Sequence, residues 1–108
     1  MFLDKKILDF IKNCKNRKLD ITITTVVETF GSTYAKVGNM MLVNSQNEFT
    51  GVLGSSFLQN KILELSKISI EKKEINFFES IAKDESTGHG TSKYKVEPFF
   101  YDEDYKNL

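Results

Sequence analysis

Apolar residues recur every three or four positions near the start of the chain: Leu3, Ile7, Phe10, Ile11 and Cys14, with lysines, Asp4, Asp9 and Asn13 between them. That is the period of an amphipathic helix, about 3.6 residues per turn, and it predicts one from about Leu3 to Lys15 with a single buried stripe. Cys14 falls on the stripe and reads as a small buried hydrophobe. The pattern then changes. Asp20 to Phe30 is dense in Ile, Val and Thr, among them Ile21, Ile23 and Val27. β-Branched side chains suit a pleated surface, so this stretch predicts a strand, central in its sheet and stopped by Gly31-Ser32. Met40–Asn44 and Phe49–Leu53 are further apolar runs, and the polar Ser45–Glu48 between them predicts a hairpin.

After Gly54 the spacing is helical again, through Leu58, Ile62, Leu63 and Leu65, and the predicted helix ends near Lys67–Ser69. Ser55 or Ser56 fits the N-cap, where a hydroxyl meets the free N–H groups of the first turn. Ile75–Phe78 predicts a fourth strand and Lys83–Ser92 a polar, glycine-bearing loop. Tyr94–Glu97 alternates as a last strand, which Pro98 closes or bends at an edge. The order α-β-β-β-α-β-β predicts an α+β sandwich: a small single domain with two main helices on a mixed or antiparallel sheet of about five strands.

Composition narrows the classes. With 108 residues there is room for one core, and nine Phe and four Tyr supply large apolar surface without metals or disulfides. Fifteen basic and fifteen acidic residues leave a formal charge of zero. A protein that tracks phosphate backbones is normally clearly basic, so nucleic acid is disfavoured as a partner. The single cysteine forms no internal disulfide and fits a reducing compartment. The first residues lack an apolar run of signal-peptide length, and no segment approaches the roughly 20 apolar residues of a membrane span. The expectation is a cytoplasmic protein with no membrane association.

Two glycine-marked turns carry the candidate chemistry, Gly31–Gly38 and Gly51–Ser56. The first, alone, is an ordinary turn. In the second, a strand runs into Gly54-Ser55-Ser56 and a helix, which points backbone N–H groups outward at a helix start, an arrangement that suits an anion. It is neither a P-loop nor a dinucleotide fingerprint, because the Gly-Lys-Ser/Thr ending and the G-x-G-x-x-G pattern are both absent.

Across both turns, Thr25-Val26-Val27-Glu28-Thr29-Phe30-Gly31-Ser32-Thr33, Gly38-Asn39-Met40-Met41-Leu42-Val43 and Gly51-Val52-Leu53-Gly54-Ser55-Ser56 together resemble the amino-terminal module of the XdhC/CoxI family. These are accessory proteins of molybdenum-cofactor enzymes such as xanthine dehydrogenase. The late Val96-Glu97-Pro98 is similar to the family's I-E-P. The resemblance implies that residues 1–108 form the amino-terminal module alone, without the carboxy-terminal Rossmann-like domain of full members. It implies a binding or chaperone module, not an enzyme, that holds the anionic pterin phosphate of molybdopterin or docks on a partner that does. The implied contact surface comprises Gly31, Ser32, Thr33, Lys36, Gly38, Gly51, Gly54, Ser55 and Ser56. The implied partner is the molybdoenzyme or a separate Rossmann-like accessory protein, and a homodimer through a strand edge or an exposed Phe is a further expectation.

The departures from the family pattern point the other way. Its Pro-Arg is Tyr34-Ala35 here, with Lys36 one position later, and its Gly-Gly-Cys-Val/Leu-Glu is Ser55-Ser56-Phe57-Leu58-Gln59. A thiol able to ligate molybdenum or pass on sulfur is therefore a phenyl ring. A second motif, Cys-Gly-Gly, would fall near Gly88–Ser92, again without cysteine. These losses suggest, as the alternative, a non-catalytic interaction or regulatory subunit. His89, the single histidine, lies between Gly88 and Gly90 and reads as an exposed loop residue, since no second ligand makes a zinc site. Ser32, Ser55, Ser56 and His89 form no recognisable nucleophile–base pattern and no Gly-x-Ser-x-Gly elbow.

Overall fold

The structure, a computed structural model, describes residues 4–81 and 90–108. Leu3 and the His89 loop position lie outside those residues. The elements are α1 (Lys5–Asn16), β1 (Ile21–Phe30), β2 (Met40–Asn44), β3 (Phe49–Thr50), α2 (Ser56–Lys72), β4 (Asn76–Ile81) and β5 (Thr91–Phe99), followed by a 3-10 turn at Tyr101–Glu103. The strands form one sheet in the order β3-β2-β1-β5-β4, and every neighbouring pair is antiparallel. The α+β expectation holds, with the antiparallel alternative realised and β1 at the centre.

Alternation along β1 explains how both helices are held. Ile21 and Ile23 join Leu42, Phe99 and Cys14 in one cluster, against which Ile7, Phe10 and Ile11 of α1 pack. Val26 joins Met41, Val43 and Tyr94 in the other, with Leu58 and Ile62 of α2. Successive residues of a strand point to opposite faces, so α1 and α2 lie on opposite sides of the sheet. Cys14 is fully buried, as its place on the stripe predicts, and burial pushes its thiol pKa up.

Local chemistry sets the element ends. Asp4 caps α1 by accepting from Ile7 N at 2.9 Å. In the β2–β3 hairpin, Asn44 Oδ1 accepts from the backbone N–H of Gln46 and Glu48, and its Nδ2 donates to Glu48 Oε1 at 2.9 Å. Arg17 at the end of α1 donates to the same Glu48 oxygen at 2.7 Å, tying helix to hairpin.

Five details differ from the sequence pattern. The strand expected at Ile75–Phe78 runs Asn76–Ile81 as β4. β3 is only two residues long, because Gly51 adopts φ +96° and turns the chain away. α2 continues to Lys72, past the expected end, because its buried stripe runs on through Ser66 and Ser69, which carry no apolar signal. β5 begins at Thr91, inside the stretch expected to be loop. Finally, Pro98 is not on an edge strand, since β5 pairs with both β1 and β4. Its pairing with β4 stops at Val96, however, so Pro98 has a neighbour on one side only, where a missing N–H is tolerated.

Candidate functional site

The first turn leaves β1 at Gly31, whose φ of +76° lies in the left-handed region. The loop then closes on itself. Thr33 Oγ1 donates to Ala35 O at 2.7 Å, Lys36 N donates to Asn39 Oδ1 at 2.9 Å, and Gly38 N returns to Val26 O at 2.9 Å. Ala35 is buried and anchors the loop in the cluster under α2. Gly90, at the entry to β5, lies so close to the Ser32 carbonyl that a Cβ there would overlap it. The loop is thus braced from below by the last strand.

The second turn leaves β3 at Gly51, whose Cα faces the Met40 carbonyl with no room for a side chain. Leu53 drops into the core, and Ser55 caps α2 by accepting from Leu58 N at 3.3 Å. The backbone N–H of Gln59 is taken by Ser55 O. Those of Ser56 and Phe57, in the first turn, have no acceptor within the helix.

Thr33 and Ser55 are separated by the whole β2–β3 hairpin, yet the two turns face each other across one cavity of about 600 Å³. Ser32, Thr33, Tyr34 and Ala35 form one wall. Leu53, Gly54, Ser55, Phe57 and Leu58 form the other. Ser92 and Tyr94 of β5, both buried, supply the floor, and Ser80 and Ile81 close the end beside β4. The Tyr94 phenol is held protonated: burial raises its pKa, an effect partly opposed by a hydrogen bond from Ser92. Among the described residues, none that lines the cavity is charged. At its mouth Tyr34 is 75% and Phe57 83% exposed, large apolar surface where a soluble face usually carries polar groups.

Four of the nine residues expected at the contact surface, Ser32, Thr33, Gly54 and Ser55, therefore meet in this cavity. The other five do not line it. Gly31 and Gly51 shape the turns through positive φ, Ser56 is exposed at the helix start, and Gly38 borders a separate depression with Asp4, Asn39 and Val52. Lys36 turns its ammonium onto Thr33 O at 3.4 Å. Ser80, Gly90, Ser92 and Tyr94 were not anticipated from sequence. The signal for the last two was the alternation Ser92, Tyr94, Val96, legible once β5 is extended by three residues. No cluster of three His, Cys, Asp or Glu able to hold a metal is present among the described residues. Cys14 lies in the α1 cluster, not at this cavity.

A model of the XdhC and CoxI family matches residues 15–77, more than half of the chain and a span that contains both turns. The chain belongs to the XdhC and CoxI family. No curated protein matches it in sequence. Among solved structures it is similar to one described as a xanthine dehydrogenase from Bacillus halodurans, with a TM-score of 0.71 and 17% identity over 84% of this chain. The aligned region spans 30% of that neighbour's length, and at this identity the likeness establishes the fold. β5, with the cavity floor, lies beyond the part that the XdhC and CoxI model matches.

Proposed function

We propose that the chain is an accessory module of a molybdenum enzyme of the xanthine dehydrogenase kind, acting in the cytoplasm and without catalytic chemistry of its own. In this reading it holds molybdopterin, or the partner that carries it, between the two glycine turns. The observation that supports this most is the meeting of Ser32 and Thr33 with Gly54 and Ser55 across one cavity at the start of α2. Its donor set fits the phosphate end of the cofactor. The Phe57 N–H, at a residue lining the cavity, and that of Ser56, exposed next to it in the chain, lack helical acceptors, and a helix start attracts negative charge. The metal end finds no such match, because Phe57 stands where the family pattern has cysteine and a phenyl ring neither ligates molybdenum nor carries sulfur. The test is calorimetric titration of the protein with isolated molybdopterin. Saturable binding that weakens in Ser55→Ala supports the reading, and heats no larger than dilution would remove it.

A second reading follows from the mouth of the cavity. Exposed Tyr34 and Phe57, on opposite walls, present apolar surface of the kind found at protein interfaces. A non-catalytic interaction or regulatory subunit, docking on the molybdoenzyme or on a separate Rossmann-like protein, would use them. Native mass spectrometry separates the two readings: a stoichiometric protein partner without a small molecule favours the second, and bound pterin the first.

A further inference from the structure

β4 is one of the two outer strands, and among the described residues it pairs only with β5. In such a strand every second residue turns its N–H and C=O away from the sheet, a ready template for another strand. Natural edges are usually blunted by charged side chains, proline, a bulge or extreme shortness. β4 reads Asn-Phe-Phe-Glu-Ser-Ile, six residues with no proline and a single charge, Glu79. Its inner face is fixed, because Phe78 stacks on Tyr94 with ring centroids 4.7 Å apart. Its outer face presents Phe77 and Ile81, 68% and 63% exposed, with Glu79 between them.

Among the described residues, nothing neutralises the charge of Glu79. Lys93 stands opposite it in register, but the Lys93 ammonium goes to Glu28 at 3.4 Å, and no ion pair to Glu79 occurs among the described residues. A strand added outside β4 would therefore place one residue opposite Glu79 and, two positions away on either side, residues against Phe77 and Ile81.

From this we infer that β4 is a strand-addition site for an extended segment of a protein partner with the pattern apolar-x-basic-x-apolar. A second copy of the chain fits poorly. The two-fold register that sets Phe77 against Ile81 also sets Glu79 against Glu79, and like charges directly opposite are destabilising. The register centred on Phe78 instead buries each Glu79 against a Phe77 ring. Ser80 and Ile81 also border the cavity, so the added strand would end beside it. The inference does not depend on any ligand in the cavity.

The test uses the whole chain and a short synthetic peptide of alternating valine and threonine with a central lysine, its twin with glutamate at that position, and a third with alternate amides N-methylated. Binding is read by fluorescence anisotropy and located by amide hydrogen exchange. The expected result is protection of β4 amides, about tenfold weaker binding of the glutamate peptide, loss of binding on N-methylation, and inverted preference in Glu79→Lys. Because Glu79 is exposed, that variant keeps the fold. Equal affinity for both charges, protection away from β4, no binding at millimolar peptide, or sedimentation showing a dimer that Glu79→Lys alters would each overturn the proposal.

Discussion

The Thr22 hydroxyl of β1 donates to Ser66 Oγ of α2 at 2.7 Å, between two residues that are both fully buried. This pair, not apolar contact alone, sets how α2 lies on the centre of the sheet. In Ser66→Ala the Thr22 hydroxyl is left with only a marginal 3.5 Å contact to Val43 O. A buried donor without a good acceptor costs about 1–3 kcal/mol. Urea unfolding should show that loss, and the double variant Thr22→Val with Ser66→Ala should lose less than the sum of the two singles, because neither partner is then stranded.

Gly90 braces the first turn through its contact with Ser32. A methyl group there would overlap the Ser32 carbonyl and crowd the Thr33 side chain. Backbone has to move, so Gly90→Ala should cost about 1–3 kcal/mol and displace the wall of the cavity. Gly54→Ala is the contrasting case, since its added methyl meets the end of the Leu58 side chain and no backbone. Thermal unfolding of the two variants should rank Gly90→Ala clearly below Gly54→Ala.

Why some of this was legible in the chain and some was not follows from what each residue type signals. The Ile- and Thr-rich β1 announces itself because a strand buried on both faces needs β-branched residues throughout. The carboxy-terminal half of α2 was hidden because Ser66 and Ser69, its buried positions, bury hydroxyls that are satisfied by Thr22 and Asn76. A reading based on apolar spacing does not register those two positions. The two turns were marked by their glycines, but their convergence was not, since it depends on β5 passing beneath both. For the same reason Ser92 and Tyr94 carry no mark of the cavity they floor.

Burial makes Cys14 a poor thiolate: desolvation raises its pKa and outweighs the opposing Asn44 hydrogen bond and Arg17 charge. The native protein should therefore show no reaction with a thiol-titrating disulfide reagent until it is unfolded. Phe57→Cys restores the family's residue at an exposed position in the first turn of α2, where the helix start favours the thiolate. It should react promptly and stoichiometrically at neutral pH with the fold unchanged. Slow reaction would mean that the cavity mouth is less open than the exposure of Phe57 indicates.

Tyr105 gives the fold an alkaline limit. Its hydroxyl donates to Leu19 O at 2.6 Å, and burial, reinforced by the nearby Cys14, Asp20, Tyr101 and Asp104, pushes its pKa up to about 12. The unfolded chain releases that proton at an ordinary tyrosine pKa of about 10. The folded value is thus the higher one, so the stabilisation is fully present below about pH 10 and is lost as pH rises through about 12. Tyr105→Phe removes both the hydrogen bond and the titration. Near neutral pH it should be less stable than the parent by about 1 kcal/mol, the usual worth of one such bond. Between about pH 10 and 12 the parent should lose stability faster than the variant and the gap should close. Urea midpoints for both proteins across that range decide it: parallel curves would mean that Tyr105 does not carry the alkaline transition.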